Sequence, residues 1–192
     1  MTPRPLDFTP PWAKWVDSPA AFSTDRRHRY TLWRGVFQPS PAEAVSGYVQ
    51  FIALNPSTAD ELTDDPTVRR MIGFAQAWGY GCLCVTNAFA YRATDPDDML
   101  AEANPIGEDN DRHILEVASN ASLIVCAWGT HGAHLNREVD LLRKLHGFRL
   151  HYLGLTKHGH PKHPLYLRQD LKPELWRTNA REASASLIRT IN

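Results

Sequence analysis

Four short apolar runs, separated by segments with helical spacing, organise this chain. They are Tyr48–Leu54 (YVQFIAL), Gly81–Ala90 (GCLCVTNAFA), Ser122–Trp128 (SLIVCAW) and Leu150–Leu155 (LHYLGL). Each is apolar at successive positions rather than alternate ones, so a strand built from it is covered on both faces. Between the first two, Asp65-Pro66 makes a helix start. Apolar residues then recur at Val68, Met71, Ile72, Ala75 and Trp78, before Gly79 and Gly81 end the helix. A second helix is expected over Ile106–Ala118, with Asp109 and Asp111 near its positive end. A third is expected over Leu135–Leu145, closed by Gly147. Strands alternating with helices in this way predict an α/β fold. The expected form is a three-layer α/β/α sandwich around a central, mainly parallel four-stranded sheet.

The flanks read differently. Residues 1–28 form an expected extended arm, rich in proline, whose Trp12 and Trp15 tack it to the body. Residues 29–192 form one α/β domain. Within it Arg29–Phe37 (RYTLWRGVF) alternates enough for an N-terminal strand, Gln38–Ser46 is a turn region, and Glu182–Ile191 is a last helix.

Composition narrows the function classes. With 192 residues and 43% hydrophobic content the chain can bury a real core as one domain. Its 21 basic and 21 acidic residues cancel, which argues against sequence-independent binding to a phosphate backbone. A local basic groove is still available to Arg26, Arg27, His28 and Arg29, or to Arg69 with Arg70. Cys82, Cys84 and Cys126 all lie in apolar runs, as reduced core thiols of a cytoplasmic protein do. Met1–Pro11 does not read as a secretory signal. No apolar run approaches the ~20 residues of a membrane span.

The chemistry gathers where the strands end. The first run stops at Asn55-Pro56-Ser57, the second passes through Asn87, Phe89, Tyr91 and Arg92, and the third ends at Trp128-Gly129-Thr130-His131. The fourth enters His158-Gly159-His160-Pro161-Lys162-His163-Pro164-Leu165-Tyr166, with three imidazoles and two prolines in nine residues. Proline fixes φ and removes a donor, so this segment is a stiff loop. In a parallel sheet the strand ends share one edge, where open α/β sheets bind ligands. Asn55, Asn87, Trp128 or His131, and His160 or His163 can therefore converge on a planar, hydrogen-bonding ligand such as a nucleobase.

Plainer roles exist for the same residues. Asn55 before proline suits a turn, Trp128-Gly129 suits core and turn, and Asp64, Asp65 and Arg69 suit a helix cap. Asn87 within an apolar run is harder to explain, because an unpartnered buried amide is costly. A metal on His158, His160 and His163 lacks companion ligands at familiar spacing, so neither metal nor cofactor is expected. Ser57 has no G-x-S-x-G elbow. An imidazole that stabilises charge on a leaving group fits the loop better.

Taken together, LNPSTAD, DDPTVRR, TNAFAYRAT, NPIGEDND, AWG and GHPKHPLYL closely resemble domain-of-unknown-function family 1643, over about Arg29 to Leu167. More distantly, the layout resembles the uracil-DNA glycosylase superfamily. ALNPS is similar to its G-I-N-P-G motif, TNAFAYR to its L-L-N-x-x-L-T, and HPKHPL to its H-P-S-P-L. That resemblance implies a glycosylase-like hydrolase in which Asn55 orients water, Asn87 reads the base, and His160 or His163 faces the base O2. Pro56, Ser57, Trp128 and Tyr166 would line the site with Phe89 or Tyr91 stacking on the base, alongside Arg92. Asp60, Asp65, Arg69 and Lys162 would support it, one of the two carboxylates serving as base for the water. The chain departs from that pattern at Asn55, where one motif version has Asp, and at Lys162 or Leu165, where the last loop has Ser. The ligand class implied is a nucleotide or nucleic acid. The alternatives are a non-catalytic nucleotide- or nucleic-acid-binding module and a metal-dependent hydrolase.

Overall fold

The computed structural model describes residues 19–36, 45 and 47–177. The expected arm with Trp12 and Trp15, the Gln38–Ser46 turn apart from Val45, and the helix Glu182–Ile191 lie outside the described residues.

The four apolar runs form β3 (Val49–Ala53), β4 (Cys82–Asn87), β5 (Leu123–Ala127) and β6 (Leu150–Tyr152). Their mutual pairings are parallel, in the order β4-β3-β5-β6. The sheet is wider than four strands, however, and mixed. Strand β2 (Arg29–Gly35) pairs antiparallel with β4, and β1 (Ala20–Phe22) pairs antiparallel with β2. At the other edge β7 (Glu174–Arg177) pairs antiparallel with β6. The full order is β1-β2-β4-β3-β5-β6-β7. Segments as short as β1 and β7 carry too few residues for a period to register, which is why the pattern missed them. β1 also turns residues 20–22 of the expected arm into sheet.

Helices cover both faces. Helix α1 (Pro66–Ala77) lays Met71, Phe74 and Ala75 on Phe51 and Ala53 of β3. Each of the large side chains contributes about 2 kcal/mol by leaving water. Asp65 caps α1 by accepting from Val68 N at 2.8 Å, with Pro66 in the first turn. On the other face, Ile114 of α3 (Asn110–Ala118) and Leu141 of α4 (Arg137–Lys144) pack on Ile52 and Cys126. The amide nitrogen of Gln50, the polar residue within β3, is satisfied there, while its Oε1 is buried without a partner. Its Nε2 donates to Thr86 Oγ1 at 3.0 Å and Ile114 O at 3.1 Å.

Three boundaries shift for local reasons. α3 starts at Asn110 rather than Ile106 because Gly107 takes φ +82°, and a Cβ there would stand 2.9 Å from His28 Cδ2. α4 starts at Arg137 rather than Leu135 because Leu135 and Asn136 hold φ of 52° and 56°. β6 stops at Tyr152 because the chain folds back on itself, Lys162 N donating to Gly154 O at 2.8 Å. Helix α2 (Pro96–Ala101) was not expected, although Asp95-Pro96 repeats the Asp-Pro start of α1.

After β3 the chain crosses to β4 over one face, and after β5 it crosses to β6 over the other. The ends of β3 and β5 therefore flank a topological switch point, where an open α/β sheet leaves a crevice.

Candidate functional site

A cavity of about 590 Å³ opens at that edge. Of the residues expected at the site, Asn55, Ser57, Asp65, Asn87, Trp128, His131, His163 and Tyr166 line it. Three parallel strands supply Asn55, Asn87 and Trp128 from their C-terminal ends, and the loop after the fourth supplies His163.

Asn55 ties two of these ends together. Its Nδ2 donates to Ala93 O at 2.8 Å and Pro56 O at 3.1 Å, while Pro56 O also accepts from Ala93 N at 2.9 Å. Both amide hydrogens are thereby committed, which leaves Oδ1 as its available polar atom. Pro56 itself serves this tie and does not line the cavity.

Asn87 is 1% exposed, and its Nδ2 has no hydrogen-bond partner. Its backbone is held rigidly. Asn110 Nδ2 donates to Asn87 O at 3.0 Å and to Ala88 O at 3.2 Å, and Arg137 Nε donates to Ala88 O at 2.7 Å. Arg137 is buried and paired with Asp111 and Asp140. The fold therefore satisfies the main chain around Asn87 and leaves its amide donor unspent beside the cavity.

The two loop histidines part company. His163 lines the cavity, and burial pushes its pKa below the usual imidazole value, the charge of Asp65 opposing that fall. At neutral pH it is an uncharged ring that can donate one N–H. His160 lies outside the cavity lining. Its Nδ1 meets Glu138 Oε2 at 2.8 Å, and the same oxygen accepts from Trp128 Nε1 at 2.7 Å. Gly129 N donates to Pro161 O at 2.8 Å, so the turn after β5 and the histidine loop are joined through both main chain and side chain. Burial of the third loop histidine, His158, does not occur; it is exposed. The three imidazoles diverge. Among the described residues no group of three or more His, Cys, Asp or Glu is placed to hold a metal.

Several expected residues lie elsewhere. Phe89 is fully buried in the core with Met99, its ring 5.7 Å from that of His134, so it cannot stack on a ligand in the cavity. Tyr91 packs edge-on against His28 at 5.9 Å with Arg27 over its ring. Arg92 donates to Arg26 O at 3.3 Å in an adjoining groove that shares Ser57, Thr58, Ala93 and Thr94 with the cavity. Asp60 closes its own turn by accepting from Leu62 N and Thr63 N. Arg69 bonds Asp64 O, and Lys162 is exposed, both off the cavity. Asp65 does line it, while its Oδ1 caps α1.

The basic run also divides. Arg26 pairs with Glu61 and Arg27 with Glu102, so neither is a free cation of a groove. Arg29 instead enters the cavity wall, 2% exposed. Along the chain Arg29 belongs with Arg26 and Arg27 in one basic run. Its position at the first residue of β2, beside the end of β4, is what separates it. Glu138 was missed altogether, because an acidic residue in the first turn of a helix ordinarily faces solvent.

The model of a protein family of unknown function, DUF1643, matches residues 29–165. The chain belongs to the DUF1643 family. The DUF1643 span runs from the first residue of β2 into the turn that follows His163, and contains every cavity-lining residue except Tyr166. No curated protein and no solved structure matched this DUF1643 chain.

Proposed function

We propose that the cavity binds a nucleobase-containing ligand and that the protein hydrolyses its N-glycosidic bond, in the manner of a uracil-DNA glycosylase. The observation that carries this reading is the unspent Asn87 donor, held beside a cavity whose other walls bear His163 and Asn55. A buried amide without a partner is a cost that a bound acceptor removes. A base carbonyl supplies one.

The chemistry follows from the groups present. As the bond from the sugar anomeric carbon to the base nitrogen breaks, its electron pair passes to the base. Neutral His163 donates a hydrogen bond to the base oxygen that gathers this charge. Asn55 Oδ1 orients a water that forms the new carbon–oxygen bond. The oxygen of Asp65 not used in the cap takes the proton, which an amide is too weakly basic to do. Trp128, 1% exposed and fixed by Glu138, walls the site as a rigid apolar surface.

A base-release screen over modified DNA, RNA and free nucleotides tests the reading, with the His163→Ala variant run in parallel. Release by the wild-type chain that falls at least a hundredfold in the variant is the expected result. Binding without release from any substrate would leave a nucleotide-binding module in its place.

A further inference from the structure

We propose that the part of the ligand entering this cavity is anionic, an oxyanion received by Arg29. The inference rests on the nucleobase reading of the site and adds the charge of the substrate to it.

The arginines of the fold are treated unequally. Arg137, as deeply buried, is met by Asp111 and Asp140. Half-exposed Arg26 and Arg27 have Glu61 and Glu102, and Arg34 has Asp64. Arg29 is 2% exposed, yet among the described residues no carboxylate forms a salt bridge with it. Its Nη1 donates to Ala59 O at 2.5 Å, and its Nε has no partner. Burial lowers its pKa to about 10, so it stays charged at neutral pH. A buried cation without a counter-ion is costly to fold, and the protein pairs its other deeply buried arginine twice over.

Arg29 and Asn87 also act on the same space. Arg29 N donates to Ala90 O at 2.9 Å, which fixes the start of β2 beside the end of β4, and both side chains line the cavity. Each has a buried N–H without a partner. A neutral base carbonyl would satisfy Asn87 but leave Arg29 without a salt-bridge partner. A carboxylate or phosphate meets both, because the planar guanidinium presents parallel donors to adjacent oxygens. Asp65 also faces the cavity and its charge reaches Arg29, but the two form no salt bridge, so the guanidinium Nε stays without a partner. A cavity of about 590 Å³ suits a ligand of mononucleotide size. The substrate class is therefore an anionic nucleobase compound, its charge carried by a carboxylate on the ring or by a phosphate on the sugar.

Calorimetric titration of the whole chain with uracil, uracil-5-carboxylate, uracil-6-carboxylate, uridine 5′-monophosphate and inorganic phosphate tests this. At least one anionic compound should bind ten times more tightly than uracil. That advantage should vanish in Arg29→Gln and survive in part in Arg29→Lys. Preference for a carboxylate assigns the ring as the source of charge; preference for the monophosphate, with competition by inorganic phosphate, assigns the sugar. Equal affinity for uracil and the anions, or no binding of any anion, overturns the proposal. Should Arg29→Gln fail to fold, the wild-type comparison alone decides it. Base release is scored separately. Anion-selective binding without release overturns the glycosidic reading and leaves this one standing, whereas release from neutral nucleosides without anion selectivity does the reverse.

Discussion

Glu138 Oε2 holds His160 Nδ1 at 2.8 Å, bracing the histidine loop from a helix that follows a different strand. Because the same oxygen accepts from Trp128 Nε1, one carboxylate fixes two walls of the cavity. Glu138→Ala should therefore lower the unfolding free energy by about 1–3 kcal/mol, the cost of leaving one buried and one half-buried donor unpaired. Ligand affinity should fall with it. Thermal melts with and without ligand check this, and a variant indistinguishable from wild type in both would show that Glu138 does not brace the site.

His163 and His160 should separate in function. His163→Ala is expected to cut base release by about 10²–10³-fold, the usual effect of deleting a donor aimed at developing charge. Its melting temperature should change little. His160→Ala should act through the loop, raising KM more than it lowers kcat. Steady-state kinetics of the two variants on one substrate distinguish these outcomes.

Asn87→Ala should trade stability against binding. Removing a buried donor that lacks a partner relieves a desolvation cost, so the melting temperature should hold or rise. Ligand affinity should fall at least tenfold. A variant that melts far below wild type would mean the amide is structural.

Arg137→Ala should destabilise strongly and for reasons unrelated to ligand. It takes a buried donor from Ala88 O and one partner from each of Asp111 and Asp140, which keep Lys144. The expected loss is about 1–3 kcal/mol, read by denaturant unfolding.

Stability should fall as the solution is acidified through the imidazole range. Burial holds His163, His151 and His113 below the ordinary histidine value of 6.5. As the pH drops below that value the unfolded chain binds protons that the folded chain refuses, so unfolding becomes easier. Melting temperatures between pH 7 and pH 5 should decline, and His163→Gln should flatten part of that slope. A flat profile in the wild type would contradict the assignment of these rings as neutral.

Much of the fold is legible because burial on both faces leaves a continuous apolar signature. The runs around Phe51, Val85, Val125 and Leu150 announce the parallel strands, and Asp65-Pro66 announces α1. β1 and β7 are silent, since three or four residues at a sheet edge have no period to read. α2 carries the same Asp-Pro start at Asp95-Pro96, but its six residues are too few for a helical period to register.

At the site, sequence marked the strand ends because polar residues there interrupt apolar runs. Asn55, Ser57, Asn87, Trp128, His163 and Tyr166 all reach the cavity on that logic. It erred where a residue's neighbours in space differ from its neighbours in the chain. Phe89 follows Asn87 by two positions yet turns into the core, and His160 answers to Glu138 rather than to a ligand.

The sequence alone determined the parallel strands, the edge at which they end and the residue types gathered there, because apolar pattern and proline restriction act locally. Only the tertiary structure decided which histidine of the loop faces the cavity, and which deeply buried arginine is left without a salt bridge. Those outcomes depend on burial and on partners brought from distant segments, and no local pattern in the chain records either.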